Sequence, residues 1–193
     1  MQEDDVYSRK RIKSEVMIDM LPIILSAVAT VCGCIPPIIK GKNMKLILTV
    51  VFLNNLLVAV SYILTKDLSG AAICFVGAAA SIVNYFFDSK GKKLPVWLLV
   101  VYALAFTVIN VFTIKQAADI LTLLAALAFV MAISQSNGKR YRLWALANAG
   151  LWLVFDLIVW AEGPIIAHLA QFIIVIVGML AYDRKKSADS ATE

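Results

Sequence analysis

Long uninterrupted runs of apolar residues, separated by short polar connections, dominate this sequence of 193 residues. Each run has the length of about 20 residues that an α-helix needs to cross the hydrocarbon core of a bilayer. We predict seven spans: Leu21–Ile39, Leu46–Leu64, Ser69–Phe87, Leu94–Phe112, Ala117–Ser134, Arg142–Trp160 and Pro164–Tyr182. The runs are continuous rather than alternating, which excludes a membrane β-barrel. Helices are favoured because each one satisfies its own backbone hydrogen bonds in lipid.

The composition strengthens the membrane interpretation. Hydrophobic residues make up 61% of the chain and charged residues 16%, and the mean hydropathy is +0.84. Soluble domains carry roughly 45–50% apolar and about 25% charged residues. A soluble domain of this size exposes a large surface to water and could not hide so many apolar side chains. We therefore expect an all-α, polytopic membrane protein that lies in a lipid bilayer.

The basic residues indicate how the chain is oriented. Alternate connections between the predicted spans hold 12 and 6 Lys or Arg residues, and the side with 12 contains the C-terminus. Basic loops are retained in the cytoplasm. We therefore predict a multi-pass protein of the bacterial inner membrane, with the N-terminus outside and the C-terminus cytoplasmic.

Four of the six outer charges lie together in the N-terminal tail, at Arg9, Lys10, Arg11 and Lys13. Such a tail favours the cytoplasm. Two interpretations stay open: the short tail is translocated because neighbouring acidic residues offset its charge, or the first span does not cross the membrane.

Spans one to three and spans five to seven have the same layout. An offset of 94 residues superposes the two triplets and aligns Asn54 with Asn148 and Lys45 with Lys139. We therefore predict five segments: an N-terminal tail over 1–16, a three-helix repeat over 17–87, a linker helix with flanking loops over 88–116, a second three-helix repeat over 117–182, and a basic, then polar, C-terminal tail over 183–193. An odd linker gives both repeats the same orientation in the membrane, as in parallel-repeat transporters. This three-one-three layout resembles the SWEET, PQ-loop and PnuC-type transporters.

A closer resemblance lies in the last two spans. Trp152 and Asp156 are followed by Gly163, by His168 in the next span, and by the basic end Arg184-Lys185-Lys186. This pattern resembles the bacterial YgjV family of inner-membrane proteins, and the similarity extends loosely over most of the chain. In that family the positions of Asp156 and His168 often hold an amide and a carboxylate. The resemblance therefore implies polar side chains there, and it implies a fold more than an activity.

Asp156 and His168 form a candidate ionisable pair within the last two predicted spans. Charged side chains in the bilayer are costly and usually functional. Each residue lies about four positions from the turn between spans six and seven, so both lie roughly 9 Å below it at a rise of 1.5 Å per residue. If they face each other, they could exchange a proton, because histidine titrates near neutrality. The alternative is a structural hydrogen bond between two helices.

Several other polar or aromatic side chains within the spans are candidates for binding a substrate. Asn54 and Asn148 are equivalent in the predicted repeat and lie near the middle of the membrane. If both face the central axis they could hold a polar solute from two sides, and if they face a neighbouring helix they stabilise packing. The lesser candidates are Asn84 and Gln171, together with Trp152, whose ring could stack on a ring-shaped ligand.

Pro36 and Pro37 lie near the inner end of span one, where they interrupt the helical hydrogen-bond ladder. Three interpretations stay open: a hinge for alternating access, a fixed kink, or the end of the helix.

The function that these features favour is a transporter or facilitator of a small polar solute. Without a nucleotide-binding loop, transport would be passive or coupled to an ion gradient. The alternative is a non-transporting scaffold within a larger complex. We expect no enzyme activity and no cofactor, since the last span lacks the lysine that a retinal protein needs, and a single histidine excludes a multi-histidine metal site. The net charge of +5 belongs to the loops rather than to nucleic-acid binding, and assembly into a homo-oligomer is left open.

Overall fold

The computed structural model describes residues 20–39, 43–66, 68–114, 116–160 and 162–183. Within these ranges the regular secondary structure is helical. The helices are α1 (described over residues 20–34), α2 (Met44–Leu64), α3 (Leu68–Ser89), α4 (Val96–Thr113), α5 (Ile120–Ile133), α6 (Gly138–Val159) and α7 (Glu162–Tyr182). One 3₁₀ turn follows α1 at Pro36–Ile38 and another precedes α5 at Ala117–Asp119. The predicted tail over 1–16 lies outside the described residues, as does all of the C-terminal tail after Asp183.

The all-helical membrane fold predicted from the apolar runs is confirmed. Six helical segments among the described residues are long and apolar enough to cross a bilayer, and the apolar segment Ala117–Ile133 is shorter. Large apolar side chains cover the outside of the bundle: Phe112, for example, is 84% exposed. Such an apolar exterior suits lipid, because the driving force that buries these side chains in soluble proteins is absent there.

Local capping residues set several helix boundaries. The side chain of Asn43 accepts a hydrogen bond from the Leu46 amide before α2, and that of Asn137 accepts one from the Lys139 amide before α6. Asparagine is a preferred N-cap because its oxygen satisfies an amide that the helix cannot. As a result α6 begins at Gly138, four residues before the predicted span, and includes Arg142.

The most extensive helix contacts join α2 to α3, α5 to α6, and α6 to α7. Helix α4 packs between α3 and α5, α3 also contacts α5, and α7 contacts the 3₁₀ turn after α1. The main buried apolar cluster draws its residues from the five helices α2 to α6, and within it Phe106 of α4 meets Phe129 of α5 edge to face at 6.1 Å. The bundle thus leaves two ends at which polar side chains gather, one beside the last turns of α2, α4 and α6 and the other beside the last turn of α7.

Candidate functional site

A cleft of about 480 Å³ lies where α2, α4 and α6 end and α3 and α5 begin. Its walls combine aromatic side chains with polar ones: Tyr62, Gly70, Ile73, Asn110, Thr113, Gln116, Asp119, Thr122, Trp152 and Phe155. The volume falls within the range of about 300–1,000 Å³ that is usual for small-molecule sites. A cleft that combines aromatic side chains with hydrogen-bonding groups, of which only Asp119 carries a charge, suits a small polar solute.

The polar wall of the cleft is held in place by internal hydrogen bonds. The hydroxyl of Thr122 donates to Oδ1 of Asn110 at 2.9 Å, and Nδ2 of Asn110 donates to the Phe106 carbonyl at 2.8 Å. These bonds fix the Asn110 amide, which is buried, at the junction of α4 and α5. Sequence reasoning missed Asn110 and Thr122, although an amide in the last turn of a membrane span was a signal for them.

The aromatic wall of the cleft connects to the ionisable pair. Nδ1 of His168 lies 2.5 Å from Oδ2 of Asp156, so the two side chains face each other across α6 and α7. The ring of Trp152 stacks on the His168 ring, with centroids 5.5 Å apart, and meets Phe155 edge to face at 5.9 Å. Asp156 is 3% exposed. The structure therefore brings together three predicted site residues and places one of them, Trp152, in the cleft wall.

Asn54 and Gln171 converge on Gly33 of α1. A Cβ atom at Gly33 would lie 3.4 Å from Oδ1 of Asn54 and 2.7 Å from Nε2 of Gln171. The missing side chain at Gly33 allows both amides to approach α1 closely. These two predicted site residues thus form one polar cluster among α1, α2 and α7, which we call the Gly33 cluster.

Asn148 and Asn84 are engaged by backbone carbonyls. Nδ2 of Asn148 donates to the Ala125 carbonyl at 2.8 Å, and Nδ2 of Asn84 donates to the Ile133 carbonyl at 3.0 Å. Asn84 also accepts a hydrogen bond from the hydroxyl of Tyr102 at 3.2 Å. Both amides join neighbouring helices to α5, and for Asn148 this is the packing arrangement that the sequence left open as an alternative. Neither contributes to the cleft wall.

Pro36 and Pro37 lie beyond the end of α1 rather than within it. The α-helix is described to residue 34, and the two prolines are buried in the 3₁₀ turn Pro36–Ile38. Of the three interpretations, this geometry matches the end of the helix.

Sequence reasoning missed a second charged pair. Arg142 near the start of α6 contacts Asp183 after α7, with Nη2 2.5 Å from Oδ1 and Nε 3.1 Å from Oδ2. The Arg142 side chain is 2% exposed, although the sequence counted this residue among the basic loop charges. The available signal was an arginine and an aspartate at the same end of adjacent antiparallel spans.

Among the described residues, no group of three His, Cys, Asp or Glu side chains is arranged to hold a metal ion. The three cysteines form no disulfide with one another; Cys32 and Cys34 are half-buried and Cys74 is buried.

Comparison with known protein families matches residues 20–186 to the family Imp-YgjV, described as "Bacterial inner membrane protein". Neither the curated proteins nor the solved structures contain a significant match. The family match covers most of the chain and includes all seven helices, and it agrees with the apolar, helical architecture. The chain therefore belongs to the Imp-YgjV family of bacterial inner membrane proteins.

Proposed function

We propose that this protein is a transporter or facilitator of a small polar solute across the bacterial inner membrane, rather than an enzyme. The observation that carries the proposal is the cleft of about 480 Å³, which is open at one end of the bundle and lined by aromatic side chains, uncharged polar groups and one carboxylate, that of Asp119. A bundle that served only as a scaffold has no need of such a cavity. Passive flux or coupling to an ion gradient would both be compatible with this cleft.

The proposed route follows two parallel three-helix repeats joined by α4. Two pairs of local features separated by 94 residues support this arrangement. Asn43 and Asn137 both cap a helix, and Lys66 and Trp160, the two non-glycine residues with positive φ among the described residues, both follow one. The contact of α3 with α5 also has its counterpart in the contact of α7 with the turn after α1.

We infer that the cleft opens to the outside. The excess of basic residues on the side of the C-terminus favours a cytoplasmic location for the end of α7. In that orientation the last turns of α2, α4 and α6, where the cleft lies, face outward. The turn Pro36–Ile38 and the Arg142–Asp183 pair then lie at the cytoplasmic end.

We further propose that His168 and Asp156 couple proton movement to the cleft. His168 touches Asp156 through Nδ1 and touches Trp152 through its ring face, so a proton gained or lost by this pair changes the charge directly behind a cleft wall. An imidazolium stacked on an indole is attracted to the ring, whereas a neutral imidazole lacks that attraction. Protonation would thus alter how firmly Trp152 is held.

The Gly33 cluster is proposed as a second polar binding site along the route. Asn54 lies eight residues before Tyr62 on α2, which places it about 12 Å deeper in the membrane than the cleft wall, at 1.5 Å per residue. Asn54 and Gln171 lie close together there. A solute leaving the cleft would meet these two amides next.

The test is flux through purified protein in liposomes. Swelling or uptake is followed for a panel of small polar solutes, including urea, glycerol, an amino acid and a pentose, against protein-free liposomes. We expect flux of at least one solute, a several-fold decrease in Trp152→Ala, and no change in Trp97→Ala. Trp97 is a matched control because it is 63% exposed on the outside of the bundle.

The alternative function is a non-transporting scaffold, and one observation favours it. The amide of Asn148 is engaged by the Ala125 carbonyl, as expected for a residue that only joins helices. Under this alternative, no solute in the panel would cross faster than through protein-free liposomes. Flux that Trp152→Ala does not reduce would instead remove the cleft from the route.

A further inference from the structure

The pair of Arg142, which is buried, and Asp183, whose side chain is 11% exposed, lies at the end of the bundle opposite the cleft. The guanidinium makes two hydrogen bonds to the carboxylate, through Nη2 and Nε, and its carbon lies 5.6 Å from the centre of the Tyr182 ring. Such paired bonds between a guanidinium and a carboxylate are directional as well as strong. The pair therefore fixes the start of α6 against the end of α7.

The same guanidinium also holds the chain that leaves α1. Nη1 of Arg142 donates to the Ile39 carbonyl at 3.4 Å, directly after the turn Pro36–Ile38. On the other side of that turn, the Pro37 carbonyl packs against α7. A Cβ at Gly178 would lie 2.3 Å from this oxygen and 3.3 Å from Cδ of Arg142. Arg142, in the second predicted repeat, thus holds the chain that leaves α1, in the first predicted repeat.

Packing alone does not require a charge at position 142. In the proposed repeat the equivalent position in the first half is Leu48, which is buried within the main apolar cluster. Apolar side chains can replace a buried ion pair without loss of stability, because removing two charges from water offsets their attraction. Because this pair contacts the chain after α1, the start of α6 and the end of α7, it is better suited to holding these three segments in one relative position.

We propose that Arg142 and Asp183 form the cytoplasmic gate of the solute route, closed in this structure. This inference rests on the proposed function. It adds the residues that would close the route at the cytoplasmic end while the cleft is open at the outer end. The gate opens when Arg142 releases the Ile39 carbonyl and the turn Pro36–Ile38 moves away from Gly178. With the gate closed and the cleft open, a solute has access from the outer side alone. Transport then requires the reverse combination, as in alternating access.

A native cysteine can report on the gate without any solute. Cys34 is half-buried in the last turn of α1, two residues before Pro36. In a Cys32→Ala, Cys74→Ala background, Cys34 is labelled with a membrane-impermeant maleimide, applied separately to right-side-out and inside-out vesicles. A second background, Cys32→Ala with Cys34→Ala, leaves the buried Cys74 of α3 as a control for general loss of structure.

We expect Arg142→Gln and Asp183→Asn each to speed labelling of Cys34 about tenfold, the factor that corresponds to roughly 1.4 kcal/mol of lost preference for the closed state. The increase should occur from the cytoplasmic side, in inside-out vesicles, while Cys74 stays unlabelled. Arg142→Lys, which keeps a charge but not the paired bonds, should give a smaller increase. Asp183→Asn provides a milder variant if Arg142→Gln fails to insert.

Unchanged labelling of Cys34 in both variants would overturn the gate, as would a rise that Cys74 shares, since the pair would then be merely structural. These outcomes are independent of solute flux. Flux in liposomes with unchanged Cys34 labelling leaves the transporter proposal standing without this gate. Faster labelling of Cys34 from the cytoplasmic side, without flux of any solute, would show that the Arg142–Asp183 contact opens and would argue against transport.

Discussion

The indole of Trp152 stacks on the imidazole of His168, with ring planes 13° from parallel and centroids 5.5 Å apart. His168 is bonded in turn to Asp156, so an aromatic wall of the cleft rests directly on an ionisable pair within the membrane. Two of the three residues carry ionisable side chains and the third faces the cleft. In the proposed transporter, this single contact links the ionisable pair to the wall of the cleft.

Because Trp152 stacks on His168, the fluorescence of Trp152 can report a change of charge on the imidazole. In a variant that keeps only this tryptophan (Trp97, Trp144 and Trp160 replaced by Phe), we expect its emission to decrease as the pH falls and the imidazole gains a proton. The physical reason is the change from a neutral to a cationic partner on the ring face. His168→Gln in the same background should remove the pH dependence. An identical pH profile in both proteins would show that the stacked pair does not titrate.

Gly178 is expected to tolerate substitution poorly. Its Cβ position lies 2.3 Å from the Pro37 carbonyl, which is backbone and cannot rotate away. We expect Gly178→Ala to cost about 2 kcal/mol or more, in line with overpacked positions in cores, and to lower the melting temperature of the protein in detergent. Gly33→Ala is the matched control, because the nearest atom there is the end of the flexible Gln171 side chain. Equal melting temperatures for the two variants would contradict this account of the turn.

Asn54 and Asn148 are expected to differ, although the predicted repeat aligns one with the other. Asn148→Ala removes the hydrogen bond to the Ala125 carbonyl and should lower stability by about 1 kcal/mol, a usual value for a bond between membrane helices. Asn54→Ala should leave the melting temperature nearly unchanged and reduce solute flux, since its amide belongs to the Gly33 cluster. Melting temperature and liposome flux, measured on both variants, test this division. Unchanged flux in both would remove the two residues from the transport route.

The orientation of the chain can be measured directly. An odd number of crossings places the two termini on opposite sides, so we expect a reporter active in the cytoplasm to work at the C-terminus and one active outside to work at the N-terminus. Fusion of each reporter to each terminus tests both statements. If both termini lie in the cytoplasm, the first span does not cross, and the parallel repeats and the position of the cleft have to be revised.

The sequence by itself determined the membrane character and the helices of this protein. A span depends on the length and polarity of one continuous run, and both can be compared with the thickness of the bilayer without any knowledge of packing. The helix starts after Asn43 and Asn137 also depend on local signals, because the cap and the amide that it satisfies lie within three residues, but the apolar runs alone placed these starts later, at Leu46 and Arg142. The sequence also predicted that Asp156 and His168 lie at the same depth in the membrane. Each is about four residues from the turn between the last two spans, and the rise per residue of a helix converts this count into a distance.

Tertiary structure alone decided which side chains meet. A membrane helix is apolar on nearly every face, so its sequence pattern does not show which face is turned to a neighbour and which to lipid. The contact of Asp156 with His168, the binding of Asn148 to α5 and the cleft beside Trp152 all depend on that rotation. Arg142 is the sharpest case. Its partners Asp183 and Ile39 lie 41 and 103 residues away along the chain, and only the packing of α6 and α7 against the end of α1 turns an apparent loop charge into a buried one.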